Sequence, residues 1–401
     1  MQSWLKYILL TLVIVILFGG GPLYIYLYIL FFTVLLTQTW AQLALLKVQV
    51  KREVACKGYF IGEEIKVKVV VKNTGFLPVL WVYVEENVPA GLAGKEQKRV
   101  LSLPAFSNQT YFYKYRARQR GLYYFSPFRL IIGDLLGLYH YQKEFGDKNE
   151  IIIYPNYQRV IFQQAGLWGL EAIIKTQLSF VPDPMTVFGS RDYRRGDPLN
   201  LIDWKATARA DSLKIRQSEY YRSLSLAILL NGNLLDYQTP LELEEAIEVA
   251  ASMAKWLLDS KGRVGLYSNG RDIRHMDDRK LPVVGVEPKN DPEQFLRILT
   301  SLATLHVGHS FPFNKLLERV LGDLSLDTAL LIISASISEE MWPRIVQAKQ
   351  HGKQIWILVT RPLKKIEREQ LSNKAKSTGV KVIIKNLKRE VGDIVLEVLR
   401  N

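Results

Sequence analysis

One segment of the chain, Phe188 to Tyr220, combines charged and large apolar residues at a density that could support chemistry. It reads FGSRDYRRGDPLNLIDWKATARADSLKIRQSEY. Asp197 and Asp203 could act as a paired acid and base, and Lys205 could act as a nucleophile. A separation of six residues along the chain does not fix the distance of the two carboxylates in space, and no Ser/His/Asp or Cys/His arrangement stands out. We therefore expect no catalytic activity from this segment.

The same segment could instead bind an anionic partner or hold domains together. A nucleic-acid surface needs Lys and Arg without compensating acids, whereas here Asp192, Asp197 and Asp203 are interleaved with the bases. Arginine forms bidentate pairs with aspartate, and its planar guanidinium can stack on Tyr193 or Trp204. The segment is therefore predicted to be a polar clasp between domains and also a docking surface, without nucleic acid as a partner.

Composition sets the frame for these residues. The chain has 401 residues, 48% of them hydrophobic, and a formal net charge of +14. This length predicts two or three domains with real cores. The single cysteine, Cys56, cannot form an intrachain disulfide, and no Cys/His cluster has zinc-site spacing. We expect no cofactor and a reducing compartment, and the positive charge fits a domain beneath an anionic membrane leaflet.

The N-terminal segment indicates a membrane anchor. No charged residue occurs from Tyr7 to Leu46, which is roughly two helical spans at about 1.5 Å per residue. The sequence GGGP at Gly19 to Pro22 would divide it into spans at 4–19 and 23–45. A cleaved signal peptide is the alternative, but the apolar run continues past Pro22 without a convincing cleavage site.

Positive charge flanks both outer ends of this hairpin. Lys6 precedes the first span, and a cluster of bases follows the second: Lys47, Lys51, Arg52 and Lys57. The positive-inside rule places both ends in the cytoplasm. We expect a bacterial plasma-membrane protein with two spans and its soluble part facing the cytoplasm; a single span would place that part outside.

The soluble part changes its hydrophobic period near residue 222. Residues 1–46 form the hairpin, 47–165 are predicted to form an antiparallel β-sandwich, 166–222 a linker with the charged motif, and 223–401 an α/β domain. The period of two in the sandwich puts two sets of residues on inner faces: Ile65, Val67, Val69 and Val71, and Leu80, Val82 and Val84. After residue 222, apolar strands alternate with amphipathic helices, including one at 389–400, which predicts a doubly wound parallel sheet.

The charged motif resembles the hallmark of a bacterial family, domain of unknown function 58. The matching residues are Arg191, Tyr193, Gly196, Asp197, Ile202, Asp203, Trp204, Lys205, Ala208 and Arg209. A second match runs from Arg120 to Tyr139. The resemblance implies paired N-terminal spans and a C-terminal domain similar to a von Willebrand factor A domain. It also implies, as partners, a MoxR-type AAA+ ATPase or a transglutaminase-like membrane protein.

A von Willebrand A-type metal site needs Asp-x-Ser-x-Ser after the first strand of that domain. Here Asn231, Asn233 and Leu235 occupy these positions, and Ser334 stands where a later aspartate is expected. Neutral ligands without a carboxylate hold Mg²⁺ poorly. Asp236 is one position away from a ligand position. We expect the metal site to be degenerate.

These inferences favour a membrane-anchored interaction or assembly protein without enzymatic activity. Its partners would be the lipid bilayer and a protein such as a MoxR-type ATPase. A metal-dependent ligand-binding protein that uses Asn231, Asn233 and Ser334 is the alternative from another class. A hydrolase of unknown substrate is a more distant alternative.

Overall fold

The computed structural model divides the chain into two compact units, Met1–Tyr154 and Pro155–Asn401. Each unit has its own core. The residues that the structure describes are 9, 13, 16, 21, 23–134, 140–146, 149–163, 182–194, 197, 199, 202–210, 212–220, 225–275, 284–306, 311–325, 327–385 and 393–398.

The first unit begins with helix α1, Leu23–Lys47. By length and composition alone, its segment Tyr28–Lys47 is apolar enough to cross a membrane. The predicted second span, 23–45, thus coincides with a helix. The predicted first span, 4–19, lies almost entirely outside the described residues, so one candidate membrane helix is supported within the described part of the chain.

The remainder of the first unit is built of strands. They are β1 Val48–Val54, β2 Gly58–Phe60, β3 Glu64–Asn73, β4 Val79–Glu86, β5 Leu92–Ala93, β6 Gln97–Leu103, β7 Asn108–Ala117, β8 Gly121–Tyr124, β9 Phe128–Gly133, β10 His140–Phe145 and β11 Glu150–Tyr154. Two four-stranded antiparallel sheets, β1-β3-β7-β5 and β10-β9-β4-β6, contribute side chains to one shared core, and β2-β11-β8 forms a third sheet. We call the two four-stranded sheets the sandwich.

The inner face of the sandwich follows the sequence pattern with one exception. The alternate residues of β3 from Ile65 to Val71 are fully buried, as the period of two predicts. Leu80 does not join Val82 and Val84 inside, because the register of β4 shifts between Val79 and Val82. Val79 is therefore the buried residue and Leu80 is half exposed. The inward position predicted for Leu80 is wrong.

The second unit alternates strands with helices. Its strands are β12 Arg159–Gln163, β13 Pro182–Asp192, β14 Lys214–Tyr220, β15 Ser225–Leu230, β16 Arg263–Ser268, β17 Arg271–Asp272, β18 Val284–Lys289, β19 Leu305–His306, β20 Thr328–Ser334, β21 Ile355–Val359, β22 Lys381–Lys385 and β23 Asp393–Val398. Its helices are α2 Trp204–Thr207, α3 Pro240–Asp259, α4 Gln294–Thr304, α5 Phe313–Asp323, α6 Trp342–Gln350 and α7 Lys365–Thr378, with 3-10 turns at Leu234–Asp236 and Ile273–His275.

An eight-stranded sheet forms the core of this unit, in the order β12-β23-β22-β21-β20-β15-β16-β18. The five strands β16, β15, β20, β21 and β22 are parallel neighbours, and β18 runs antiparallel at one edge. The predominantly apolar strands β15 and β20 are buried at every position, as expected for strands covered on both faces. The carboxyl ends of β15 and β20 therefore meet at one edge of the sheet, where α/β proteins bind ligands.

Two segments differ from the sequence-based expectation. The helix predicted at 389–400 is wrong, because 393–398 form β23, which pairs antiparallel with β22 and parallel with β12. Its β-branched residues Ile394, Val395 and Val398 fit a strand better than a helix once both neighbouring strands are present. Residues 159–163, expected in the sandwich, form β12 in the sheet of the second unit.

Candidate functional site

The charged motif lies at the tip of a two-stranded antiparallel hairpin formed by β13 and β14. We call the described residues between these strands, from Tyr193 to Leu213, the hairpin tip. Backbone bonds close it near its base: Tyr193 N donates to Leu213 O at 2.8 Å, and Asp203 N donates to Lys214 O at 2.8 Å. These two hydrogen bonds hold the backbone of the tip, which lies outside the core of the second unit.

Asp197 is the acceptor that organises the first half of the tip. Its two carboxylate oxygens accept from both terminal nitrogens of Arg191, each at 2.8 Å. The backbone N–H of Arg194 also donates to Asp197 Oδ2 at 2.8 Å. These hydrogen bonds lower the pKa of Asp197 to about 2, and the largest contribution comes from the side chain of Arg191. A carboxyl group with so low a pKa cannot serve as a general acid near neutral pH.

We predict that Asp197→Asn loosens the tip without changing global stability. Because its folded-state pKa is depressed, the contribution of Asp197 is fully present above pH about 4 and lost as pH falls towards 2. The variant should show faster hydrogen exchange at the Arg194 amide in mass spectrometry at pH 7. Asp203→Asn, which keeps a capping oxygen, is the matched control and should leave that amide unchanged. Unchanged exchange in Asp197→Asn would contradict the prediction.

Asp203 organises the second half of the tip in a different way. Its side chain accepts from the backbone N–H groups of Lys205 and Ala206, each at 3.1 Å, and so caps the short helix α2. Ile202 beside it is buried and bridges to buried Ile215 of β14. The two aspartates considered as an acid–base pair therefore have separate structural roles.

The outer surface of the tip is apolar and basic. Trp204 is 66% exposed, Leu199 68% and Leu213 44%. Lys205 and Arg209 are also exposed, and neither forms an ion pair with another described residue. Trp and Arg are the residue types that most often dominate binding energy at protein interfaces. The tip therefore exposes one large aromatic side chain, Trp204, and two cations, Lys205 and Arg209. Its backbone is held by the hydrogen bonds of Asp197 and Asp203.

The predicted motif residues thus separate into two groups. Arg191, Asp197, Asp203 and Ile202 hold the hairpin itself, whereas Trp204, Lys205 and Arg209 face outward. The backbone of Tyr193 closes the tip, and Gly196 lies outside the described residues. The ion pair expected from the sequence forms between Arg191 and Asp197, two residues of one hairpin.

A second polar cluster lies where β15 and β20 end. Asn231 is fully buried, and its Nδ2 donates to Asp236 Oδ2 at 2.7 Å and to Ser334 Oγ at 3.2 Å. Asn233 Nδ2 donates to the same Asp236 oxygen at 3.2 Å. The Leu235 side chain is 90% exposed and takes no part, although its backbone N–H donates to Asn233 Oδ1 at 3.3 Å. The 3-10 turn Leu234–Asp236 brings Asp236 into the cluster.

This cluster does not fit a bound Mg²⁺ as it is arranged. A magnesium site needs several oxygen ligands around the cation. Here amide nitrogens of Asn231 and Asn233 face the carboxylate of Asp236, and the Asn231 Oδ1 accepts from the Asn233 backbone at 3.1 Å. Nor do any three His, Cys, Asp or Glu residues group at metal-binding distance in the described part of the chain.

The sandwich contains a buried ion pair that the sequence analysis missed. Arg52 Nη2 lies 2.6 Å from Glu86 Oε1, and both side chains are at most 2% exposed. The Arg52 guanidinium stacks over the rings of Phe125 and Phe128, with its carbon 4.6 and 4.4 Å from their centroids. The Tyr113 hydroxyl donates to the other Glu86 oxygen. Burial raises the pKa of Glu86 to about 7, against the opposing charge of Arg52.

This raised pKa predicts a pH dependence of the first unit. A carboxyl group whose folded-state pKa exceeds its unfolded value of 4.5 stabilises most below that value and loses its contribution as pH rises through about 7. The unfolding free energy should fall by roughly 3 kcal/mol over this range. Pulse proteolysis of the full-length chain in urea, read at fragments of the first unit, measures it. Glu86→Gln should remove the slope, and a slope that persists would contradict the assignment.

The N-terminal apolar helix, the β-rich unit and the α/β unit define the class: a two-unit protein with a candidate membrane anchor. Residues 189–304 match the model of the family "Protein of unknown function DUF58". The chain is also similar to the uncharacterized protein YeaD of Bacillus subtilis, with 25% identity over 294 residues, which covers 70% of this chain and 68% of YeaD. These two similarities support a DUF58 family protein, and the resemblance of the hallmark is confirmed.

Two solved structures are similar to about a quarter of the chain. The CARDB domain of the PF1109 protein from Pyrococcus furiosus is 15% identical, with a TM-score of 0.19, and covers 26% of this chain and 91% of that domain. The alpha-2-macroglobulin from Escherichia coli is 15% identical, with a TM-score of 0.20, and covers 27% of this chain and 23% of that chain. Similarity this low indicates neither fold nor function.

Proposed function

We propose that this chain is a membrane-anchored interaction protein without enzymatic activity, which binds a protein partner through the hairpin tip. The observation that carries the proposal is the exposed Trp204 beside the available cations Lys205 and Arg209. The partner should offer an apolar pocket rimmed by acidic residues, since such a surface complements an aromatic side chain flanked by cations. The resemblance suggests a MoxR-type AAA+ ATPase for this role, with a transglutaminase-like membrane protein as the second candidate.

The internal order of the tip supports a binding role over a catalytic one. Asp197 and Asp203 are engaged by Arg191 and by backbone N–H groups, so neither is available to a substrate. Binding energy is conserved when a docking surface is fixed before association, because less entropy is lost. An ion-paired hairpin that exposes one tryptophan meets this requirement.

The membrane arrangement belongs to the same proposal. The bases that follow α1 favour a soluble part in the cytoplasm, next to an ATPase that needs ATP. Similarity of the second unit to a von Willebrand factor A domain is proposed from the sequential strands β15, β16, β18, β20, β21 and β22, which lie in the spatial order 3-2-1-4-5-6.

A pull-down from detergent-solubilised native membranes and cytosol tests the proposal. We expect the tagged full-length chain to retain a MoxR-type ATPase, identified by mass spectrometry, and the double variant Trp204→Ala/Arg209→Ala to lose it. Ile366→Ala changes an equally exposed apolar residue, 70% exposed, elsewhere in the second unit and is the matched control. Equal retention by the double variant and the control, with unchanged thermal melts, would refute docking through the tip.

Metal-dependent ligand binding is the candidate function from another class. One observation favours it: Asp236 adds a carboxylate to the cluster of Asn231, Asn233 and Ser334. Binding would require both asparagine amides to turn their oxygens towards the cation. Titration of the full-length chain with Mg²⁺ and Mn²⁺ in a calorimeter separates the two functions. Heat that disappears in Asp236→Ala would support the metal site, and no heat would retire it.

A further inference from the structure

Helix α1 has two different apolar faces from Val34 onward. Val34, Thr37, Ala41 and Ala44 are buried, and they recur at helical spacing on one face. This face packs on the first unit: Trp40 Nε1 donates to Pro78 O at 3.0 Å, and Thr37 Oγ1 lies 3.5 Å from Asp134 Oδ2. The helix is therefore fixed to the same end of the sandwich at which Pro78 precedes β4 and Asp134 follows β9.

The opposite face of the helix is exposed and, apart from Thr39, apolar from Ile25 to Leu46. Its exposed residues follow the i, i+3, i+4 spacing of a single stripe: Ile25, Ile29, Phe32, Leu36, Leu43 and Leu46. The stripe continues to the last turn of α1, beside the sandwich. Because no charged residue interrupts it, this face suits the hydrocarbon of a bilayer, and the body of the sandwich next to it must lie close to the membrane surface.

Two loops at this end of the sandwich carry exposed aromatic residues. The carbonyl oxygen of Lys47, the last residue of α1, accepts from Thr74 N at 2.9 Å and from Thr74 Oγ1 at 2.8 Å. Gly75 O in turn accepts from Phe106 N at 3.0 Å. Phe76 and Phe106 on these joined loops are 72% and 71% exposed. The hydrogen bonds between the end of α1 and the two loops thus place two phenylalanine side chains at the end of the sandwich that adjoins α1.

Basic residues accompany the two phenylalanines. Lys47 and Lys72 are both exposed and lie at the end of α1 and at the end of β3, next to the joined loops. Aromatic and apolar side chains that enter the headgroup region, together with lysines that meet anionic lipid, are the usual features of an interfacial contact. The occupant that fits both chemistries, and that the helix already brings to this place, is the surface of an anionic bilayer.

We infer that this end of the sandwich is a membrane-contact surface, in which Phe76 and Phe106 enter the lipid headgroup region beside α1. The sandwich then stands on the membrane instead of hanging from a free tether. This inference rests on the membrane anchoring in the proposed function and does not depend on the hairpin tip. Lipid contact at two loops would hold the orientation of the first unit relative to the bilayer.

Spin-label accessibility tests the inference on the full-length chain in vesicles of neutral and anionic phospholipid. The native Cys56 lies beyond the far end of β1, about 20 Å from the loops at about 3.3 Å per strand residue, and it is the matched control. Phe76→Cys and Phe106→Cys are made in a Cys56→Ser background, and Ile29→Cys reports on the anchor itself. Each label is measured for collisions with oxygen, which concentrates in lipid, and with a water-soluble nickel chelate.

The inference predicts that labels at positions 76 and 106 collide with oxygen several-fold more, relative to the nickel chelate, than the label at Cys56. If these two labels behave like Cys56 while Ile29→Cys lies in lipid, the contact surface is refuted and the anchor stands. If Ile29→Cys is also in water, the membrane anchoring fails, and the inference fails with it. The folded state of each variant is checked by its thermal melt.

Discussion

Glu86→Ala is expected to lower the unfolding free energy of the first unit by about 3–5 kcal/mol. The reason is that Arg52 stays behind, 2% exposed, over the rings of Phe125 and Phe128, and loses the Glu86 oxygen that lies 2.6 Å from its Nη2 and accepts a hydrogen bond whether the carboxyl group is ionised or neutral. An arginine cannot escape this position by losing its proton, since its charge persists in proteins. The Tyr113 hydroxyl loses its acceptor at the same time.

Arg52→Ala should be less harmful than Glu86→Ala. In that variant the remaining buried group is a carboxyl, which can take up a proton, and its pKa is already raised to about 7 by burial. A neutral carboxyl group leaves no unpaired charge in the core. The asymmetry between the two partners therefore follows from which of them can become neutral.

Urea unfolding with pulse proteolysis of the full-length chain measures both variants, read at fragments from β3 and β7. The control is the triple variant Arg52→Met/Glu86→Leu/Tyr113→Phe, which removes all three polar groups and should recover most of the lost stability. A loss below about 1 kcal/mol in Glu86→Ala, or a triple variant no more stable than Glu86→Ala, would contradict the account.

Trp204→Ala is expected to weaken binding of the proposed partner, a MoxR-type ATPase, about thirty-fold or more, which corresponds to about 2 kcal/mol or more. The side chain is 66% exposed in the free protein, so its removal leaves the fold intact and deletes the largest apolar contact that the tip offers. Arg209→Ala and Lys205→Ala should act differently. Exposed charges at a rim mainly accelerate association and make it depend on salt.

Biolayer interferometry with the full-length chain in nanodiscs and the purified ATPase measures both effects. Trp204→Ala should raise the dissociation rate at every salt concentration. Arg209→Ala should slow association at low salt and approach the wild type at about 1 M salt, where charges are screened within about 3 Å. Ile366→Ala should match the wild type. A raised dissociation rate in the Ile366→Ala control, or an unchanged dissociation rate in Trp204→Ala, would contradict binding through the tip.

Much of the fold follows from local sequence patterns. The alternation in β3 identifies a strand with one buried face, because each face of a strand repeats every second residue. The apolar runs of β15 and β20 identify strands that are buried on both faces. The failures have tertiary causes. Leu80 is displaced by a register shift in β4, which no local pattern encodes, and β23 is a strand because β22 and β12 lie on either side of it.

The buried ion pair carried a sequence signal that was not used. Arg52 follows Val48 and Val50 at alternate positions of β1, and Glu86 follows Val82 and Val84 in β4. The period of two therefore places both charges on the inner faces of the sandwich. Opposite charges at inward positions of two facing strands predict a buried pair, although their mutual distance depends on how the two sheets pack.

The composition of the sequence identified the candidate site. It did not identify which motif residues hold the hairpin together and which face outward. Sequence spacing suggested pairing of arginine with aspartate in the motif, and the structure assigns that pair to Arg191 and Asp197. Sequence spacing could not show that Asp203 caps a short helix or that Trp204 faces outward, because both depend on the backbone that precedes α2. Ile202, which is buried and bridged to buried Ile215 of β14, directly precedes the capping residue Asp203.

The most direct test of docking through the tip is site-specific photo-crosslinking in the native host. A benzophenone amino acid replaces Trp204 in one strain and Ile366 in another, and the crosslinked products are identified by mass spectrometry after irradiation. The account predicts a product with the MoxR-type ATPase from position 204 and none from position 366. No product from position 204, or equal products from both positions, would contradict the claim that the tip binds this partner.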